Sequence, residues 1–189
     1  MTAFRMAQDA DCDIAALVYG TDQSPDRLLA AFAADLRTRG VNAVGVLQSR
    51  GGEGAADGLV FVPDGATLAI PRCGTRDHDA SAAWSSALVH AEAWLLEAER
   101  QRPDLLVLNR YGAAERSGGG LLRVIAEAVS RDVPVLLPVP QARFADWLRF
   151  SEGLFVKLDC TRGSLEAWWA GVSRPAGALP QPSYCERVK

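Results

Sequence analysis

Short runs of consecutive apolar residues alternate along this chain with segments whose apolar residues recur at helical spacing, and glycine or proline marks most of the junctions. Asp13-Ile-Ala-Ala-Leu-Val-Tyr-Gly20 is apolar without interruption, as in a strand covered on both faces. Thr21 to Asp26 then carries a helix start: Ser24 is placed to cap free amides, Pro25 suits the first helical position, and Asp26 suits the positive end of the dipole. Leu28, Leu29, Phe32 and Leu36 share one face, Gly40 stops the helix, and Val41 to Leu47 forms a second strand. The opening therefore reads as βαβ.

The theme continues to residue 172. Asp64-Gly65 lies between Gly58–Pro63 and Thr67–Pro71, a hairpin signal. Trp84, Leu88, Ala91 and Leu95 fall on one face of a helix over Ala80–Gln101, which Pro103 closes. Leu105 to Leu108 is too short and too apolar to be half exposed, so it is predicted as a central strand with Asn109 at its carboxyl edge. Gly118-Gly-Gly120 precedes a helix with Leu121, Leu122, Ile125 and Val129 inward. Val133–Val139 is a further strand with an irregular start at Pro134, and Gln141–Phe150 is a short helix with Phe144, Trp147 and Leu148 inward. Gly153–Leu158 reads as an edge strand because Lys157 interrupts it, and Leu165, Trp168, Trp169 and Val172 mark the last helix. The prediction is a three-layer α/β fold, with a mostly parallel sheet and a small β-hairpin insertion, forming a single domain over 1–173. Residues 174–189 are a Pro/Gly-rich tail, in which Pro175, Gly177, Pro180 and Pro182 disfavour regular structure.

Composition narrows the class of function. A length of 189 residues suits one domain, and 49% hydrophobic with 23% charged residues is globular. A net charge of -3 gives no field favouring nucleic acid or an anionic membrane, so neither is expected as a partner. No apolar run reaches the roughly 18 residues needed to span a bilayer, and no secretory leader pattern is read, so the expected address is cytoplasmic. Cys12, Cys73, Cys160 and Cys185 are far apart with no Cys-x-x-Cys pair, so reduced thiols and no metal site are expected.

Two stretches carry candidate chemistry. A strand, a loop from Gly20 and a helix is where a phosphate loop would sit, and the pattern G-x-x-x-x-G-K-[ST] is the test. Pro25 and Asp26 stand where its second glycine and lysine would fall, Asp22 adds negative charge, and Arg27 is the nearest replacement cation. Gly20, Thr21, Gln23, Ser24 and Arg27 are the candidate ligand-binding residues of this loop; an ordinary capped helix explains it equally well. The second stretch holds Asn109, Arg110, Ser117, Gly118 and Gly119, where a polar strand edge meets a glycine turn that lets backbone approach a ligand. Asn109 occupies the position where a hydrolase would carry a magnesium-organising acid. Arg72 and Arg76 could clamp an oxyanion or simply be solvated.

Asp104-Leu-Leu-Val-Leu-Asn-Arg-Tyr-Gly-Ala-Ala-Glu115, the glycine turn, Val133-Pro-Val-Leu-Leu-Pro-Val139 and Phe144-Ala-Asp-Trp147 together resemble a bacterial family of unknown function. Its members are often labelled nucleoside-triphosphatase-like and linked to molybdate transport and molybdoenzyme genes. The family's strand ends Asn-Lys-Phe-Gly-Lys-Gln-Glu, matched by Asn109 to Glu115 with Ala113 in place of the second lysine. Arg72, Cys73 and Arg76 loosely match its arginine-rich segment with a cysteine. The resemblance implies a phosphate-loop-NTPase-like fold whose catalytic signatures have drifted.

Three functions follow as expectations. The first is a non-catalytic or weakly catalytic binding protein for a small anionic ligand, either molybdate, tungstate or a nucleotide with magnesium, accessory to molybdenum metabolism. The second is an active Mg-dependent nucleoside triphosphatase using Arg27 or Arg110, with Asp22 or Glu115 on the metal, although the loop lysine and the strand-end acid are absent. The third is a regulatory or scaffold homodimer with an empty site. No catalytic residue is assigned.

Overall fold

The computed structural model describes residues 13–49, 57–70 and 77–173. Arg72, Arg76, Cys12, Cys73, Cys185, the glycine-rich segment 50–56 and the tail 174–189 lie outside the described residues. Seven strands form one sheet: β1 (Ile14–Tyr19), β2 (Ala43–Ser49), β3 (Asp57–Val62), β4 (Thr67–Ile70), β5 (Leu105–Val107), β6 (Val135–Pro140) and β7 (Val156–Asp159). Six helices accompany them: α1 (Pro25–Thr38), α2 (Asp77–Glu99), α3 (Ala113–Arg116), α4 (Leu122–Ser130), α5 (Phe144–Phe150) and α6 (Arg162–Val172), with a 3-10 turn at Gln141–Arg143. The predicted three-layer, mostly parallel fold is the observed one, and none of the helices among the described residues is long and apolar enough to cross a membrane.

The strand order is β4-β3-β2-β5-β6-β1-β7. β2, β5, β6, β1 and β7 are parallel, whereas the β3–β4 hairpin extends β2 in antiparallel fashion. The expected hairpin thus joins the main sheet as its outer strands. β1 and β2 are not neighbours, because β6 and β5 lie between them. The opening is therefore a crossover that spans two strands which the chain makes much later.

Side-chain alternation sends successive residues of each strand to opposite layers. Ala15 and Leu17 of β1, with Leu105 and Val107 of β5, pack under α1 and α6 against Leu29, Phe32, Leu36, Leu165 and Trp168. Ala16, Leu106, Val135 and Leu137 face the other way, onto α2, α4 and α5. Two expected inward residues are instead exposed: Val129 at 44% and Leu148 at 44%. Before and along α4, Leu121 and Ile125 are buried as expected, and Val124 and Ala128 complete the buried track in place of Val129. On α5 Trp147 is buried as expected.

α1 leaves β1 on one face and travels towards β2, whereas α5 leaves β6 on the opposite face and travels towards β7. The connections of these adjacent strands diverge between β1 and β6. In an open α/β sheet that divergence opens a crevice at the carboxyl edge, where ligands are held.

Candidate functional site

Two cavities of about 780 Å³ each lie along this edge. The first, here the loop cavity, is bounded by residues 19–24 after β1, by the ends of β2 and β3, and by Pro140, Gln141 and Ala142 after β6. The second, the edge cavity, lies between α2 and the 109–120 segment after β5, with Arg143 on its wall. Tyr19, Gln48, Arg110 and Pro140 border both.

The expected ligand residues are divided between them. Gly20, Thr21, Gln23, Ser24 and Arg27 line the loop cavity, Asn109, Ser117 and Gly119 line the edge cavity, and Arg110 touches both. Gly118 lines neither cavity. In the loop, Gly20 N–H donates to Gln23 Oε1 at 2.8 Å and Gln23 N–H donates to Gly20 O at 3.4 Å, closing a tight turn. Ser24 occupies the N-cap position of α1, but its side chain makes no cap hydrogen bond, contrary to the sequence expectation. Pro25 at the first helical position has no N–H to satisfy, which lightens the need for that cap. The amino end of α1 still presents amides of its first turn, and Arg27 is exposed beside them.

Arg110 is committed. Its Nε donates to Asp26 Oδ1 at 3.2 Å, its Nη2 to Asp26 Oδ2, and its Nη1 to the Tyr19 hydroxyl at 3.4 Å. The guanidinium lies 5.3 Å from the Tyr19 ring centroid. Burial by itself would lower its pKa, but the hydrogen bond and charge of Asp26, aided by Tyr19, outweigh burial and raise it. The side chains of this pair are only 15% and 13% exposed, so the ion pair is largely withdrawn from water. Asp26, read from sequence as a helix-dipole residue, is the partner that holds the strand-edge cation. The residues are 84 positions apart, and no local pattern announces the contact.

Glu115 has a structural duty in the second stretch. Only 6% exposed, it accepts from Gly112 N–H at 2.8 Å through Oε2 and from Leu121 N–H at 3.3 Å through Oε1. The turn amides are likewise used: Ser117 donates to Ala113 O, Gly118 to Glu115 O and Gly119 to Ala114 O, at 3.0 to 3.2 Å. The expectation that Ser117, Gly118 and Gly119 offer amides to a ligand is therefore corrected, since the short helix α3 consumes them. Asn109 reaches the edge cavity, and its Oδ1 is buried without a hydrogen-bond partner among the described residues.

Gly120 has φ +61°, and a Cβ there would lie 2.2 Å from Glu115 Oε1. Gly120→Ala is accordingly expected to destabilise the fold by about 2 kcal/mol, by straining the backbone and displacing the carboxylate. Urea denaturation checks this; an unchanged midpoint would remove Glu115 as the clasp of the loop.

Glu115 and Asp26 are engaged as described, Asp22 is exposed on the loop cavity, and among the described residues no group of three or more His, Cys, Asp or Glu is arranged for a metal. Cys160 is a free, half-buried thiol whose pKa is raised by burial and then by the Asp26 charge, so it stays protonated at neutral pH. Arg143 was not singled out from sequence. Its position immediately after the carboxyl end of a buried strand, in Pro140-Gln-Ala-Arg143, is the signal that marks it.

Residues 14–168 match the sequence profile of the family described as "Protein of unknown function (DUF2478)", so the chain belongs to that family. It is also 32% identical over 164 residues to the molybdenum import ATP-binding protein ModC 2 of Bradyrhizobium diazoefficiens. That match takes in 85% of this chain but 18% of the relative, so the chain spans about a fifth of the length of that protein. Among solved structures, THEP1 from the hyperthermophile Aquifex aeolicus superposes with a TM-score of 0.58 at 13% identity, covering 85% of this chain and 99% of THEP1. The two chains share the three-layer α/β fold described above.

Proposed function

We propose that this member of the DUF2478 family binds an anion at its loop cavity without turning it over. The ligand is an oxyanion such as molybdate or tungstate, or the phosphate end of a nucleotide, and the role is accessory to molybdenum metabolism. The observation that carries the reading is the Arg110–Asp26 pair. Phosphoryl transfer needs fixed positive charge on the transferring group, supplied by lysine, arginine and metal. Here the loop has no lysine, the strand-edge arginine is neutralised by Asp26, and Glu115 is held by two amides. What remains for an anion is the amino end of α1, the loop backbone and the exposed Arg27, which suffice for binding. The name of the ModC 2 relative supports molybdenum and ATP as the ligand chemistry to test first. The hydrolase alternative loses two of the residues it would use, Arg110 and Glu115, to internal contacts.

A thermal-shift panel of ATP, GTP, molybdate, tungstate, sulfate and phosphate, each with and without magnesium, tests the proposal. A ligand at a hundredfold excess over its dissociation constant stabilises by about 2.7 kcal/mol. At least one oxyanion or nucleotide is expected to raise Tm in the wild type, and Arg27→Gln is expected to lose that shift. No shift with any of the six would sink the binding reading, and magnesium-dependent phosphate release by the pure protein would sink the claim of no turnover.

A further inference from the structure

We propose that the edge cavity is a second binding site, for an organic anion: a phosphate or carboxylate group carried on an apolar, ring-sized body and anchored by Arg143. This does not rest on the reading of the loop cavity. Arg143 ends the 3-10 turn after β6, is half-buried and lines the edge cavity. Its Nη1 lies 3.7 Å from where a Cβ on Gly112 would sit, so the guanidinium tip overlies backbone that carries no side chain.

Apart from Glu92, the other ionic groups named around this cavity are already engaged. Asp26 holds Arg110, Glu115 accepts two amides, and Asp146 on α5 pairs with Arg116 at 3.6 Å and with Arg149. Among the described residues Arg143 has no ion pair. A guanidinium partly removed from water and without an ion pair among the described residues attracts an anion, and its planar fork suits carboxylate and phosphate oxygens alike.

The opposite wall tells what carries the charge. Trp84 and Leu88 of α2 are partly buried there, and Val89 is 65% exposed on the same wall. An apolar wall facing a cation that has no ion pair among the described residues is the usual make-up of a small-molecule pocket, and the volume of about 780 Å³ lies within the range for such sites. Glu92, also on that wall, repels compact, multiply charged ions and leaves the Arg143 side as the anionic end. Inorganic phosphate or molybdate would leave the apolar wall uncovered.

Calorimetric titration of the full chain with phenyl phosphate, benzoate, inorganic phosphate and benzyl alcohol tests this. At least one of the two organic anions is expected to bind about tenfold more tightly than both inorganic phosphate and the neutral alcohol. Whichever binds separates a phosphate-ester ligand from a carboxylate one. Arg143→Gln is expected to weaken that binding about tenfold and Arg143→Lys to weaken it less, since charge is kept and the fork lost. Arg27→Gln is expected to leave it unchanged, which separates failure here from failure of the loop cavity. Equal binding by Arg143→Gln, equal binding of benzyl alcohol, loss of binding in Arg27→Gln, or no binding of either organic anion overturns the proposal.

Discussion

Arg110→Ala is expected to lower the unfolding free energy by about 2–3 kcal/mol, whereas the paired change Arg110→Met with Asp26→Leu is expected to recover most of that loss. Removing one partner leaves Asp26, 13% exposed, as a charge without its guanidinium in the first turn of α1. Replacing both removes the desolvation cost along with the attraction. The single change also strips the Tyr19 ring of the cation resting over it. Denaturant unfolding of the two single variants and the double variant gives the coupling directly. If Arg110→Ala matches the wild type, the pair contributes nothing and the argument that Asp26 neutralises this cation fails with it.

Trp147→Ala is expected to have the largest effect on stability, about 3–5 kcal/mol, or a fall in Tm of about 10 °C in a domain of this size. Trp147 is 1% exposed and packs edge-on against Tyr111 at 5.2 Å and Phe155 at 5.6 Å, tying α5 to the segment after β5 and to the approach to β7. Its Nε1 is buried and has no partner among the described residues. Trp147→Phe should therefore cost much less than alanine, because the smaller ring keeps part of the cluster and removes an unpaired donor. Calorimetric melts of both variants check the ranking. Equal losses would mean that the cluster is held by something other than ring packing.

What the sequence made legible follows from what local periodicity encodes. Uninterrupted apolar runs at 14–19, 105–107 and 135–139 mark strands covered on both sides, and each is a buried strand. Helical spacing placed α1, α2 and α6 with their main buried residues. On α4 and α5 the expected Ile125 and Trp147 are buried, and the misses are single residues at the rim of each face, Val129 and Leu148, whose burial a short helix leaves poorly determined. Strand order was not legible, since no local pattern says that β1 enters between β6 and β7. The candidate site failed to be legible for the same reason. Sequence proximity grouped Asn109, Arg110 and the glycine turn as one ligand edge, but long-range contacts assign Arg110 to Asp26, and the buried Glu115 assigns the turn to itself. Arg143 went unread because its meaning depends on the amino acids that fail to pair with it.

The position of β1 also sets a timetable for synthesis. Among the described residues its only sheet partners are β6, beginning at Val135, and β7, beginning at Val156. A ribosome has made more than two-thirds of the chain before the first strand can be hydrogen-bonded into the sheet. Until then Ala15, Ala16 and Leu17, fully buried in the finished fold, have no place to go, and such long-range pairing is slow. Nascent chains stalled before residue 135 should accordingly be sensitive to protease around residues 14–19 and recruit chaperones there, and the loop that follows β1 acquires its shape only once β6 has emerged.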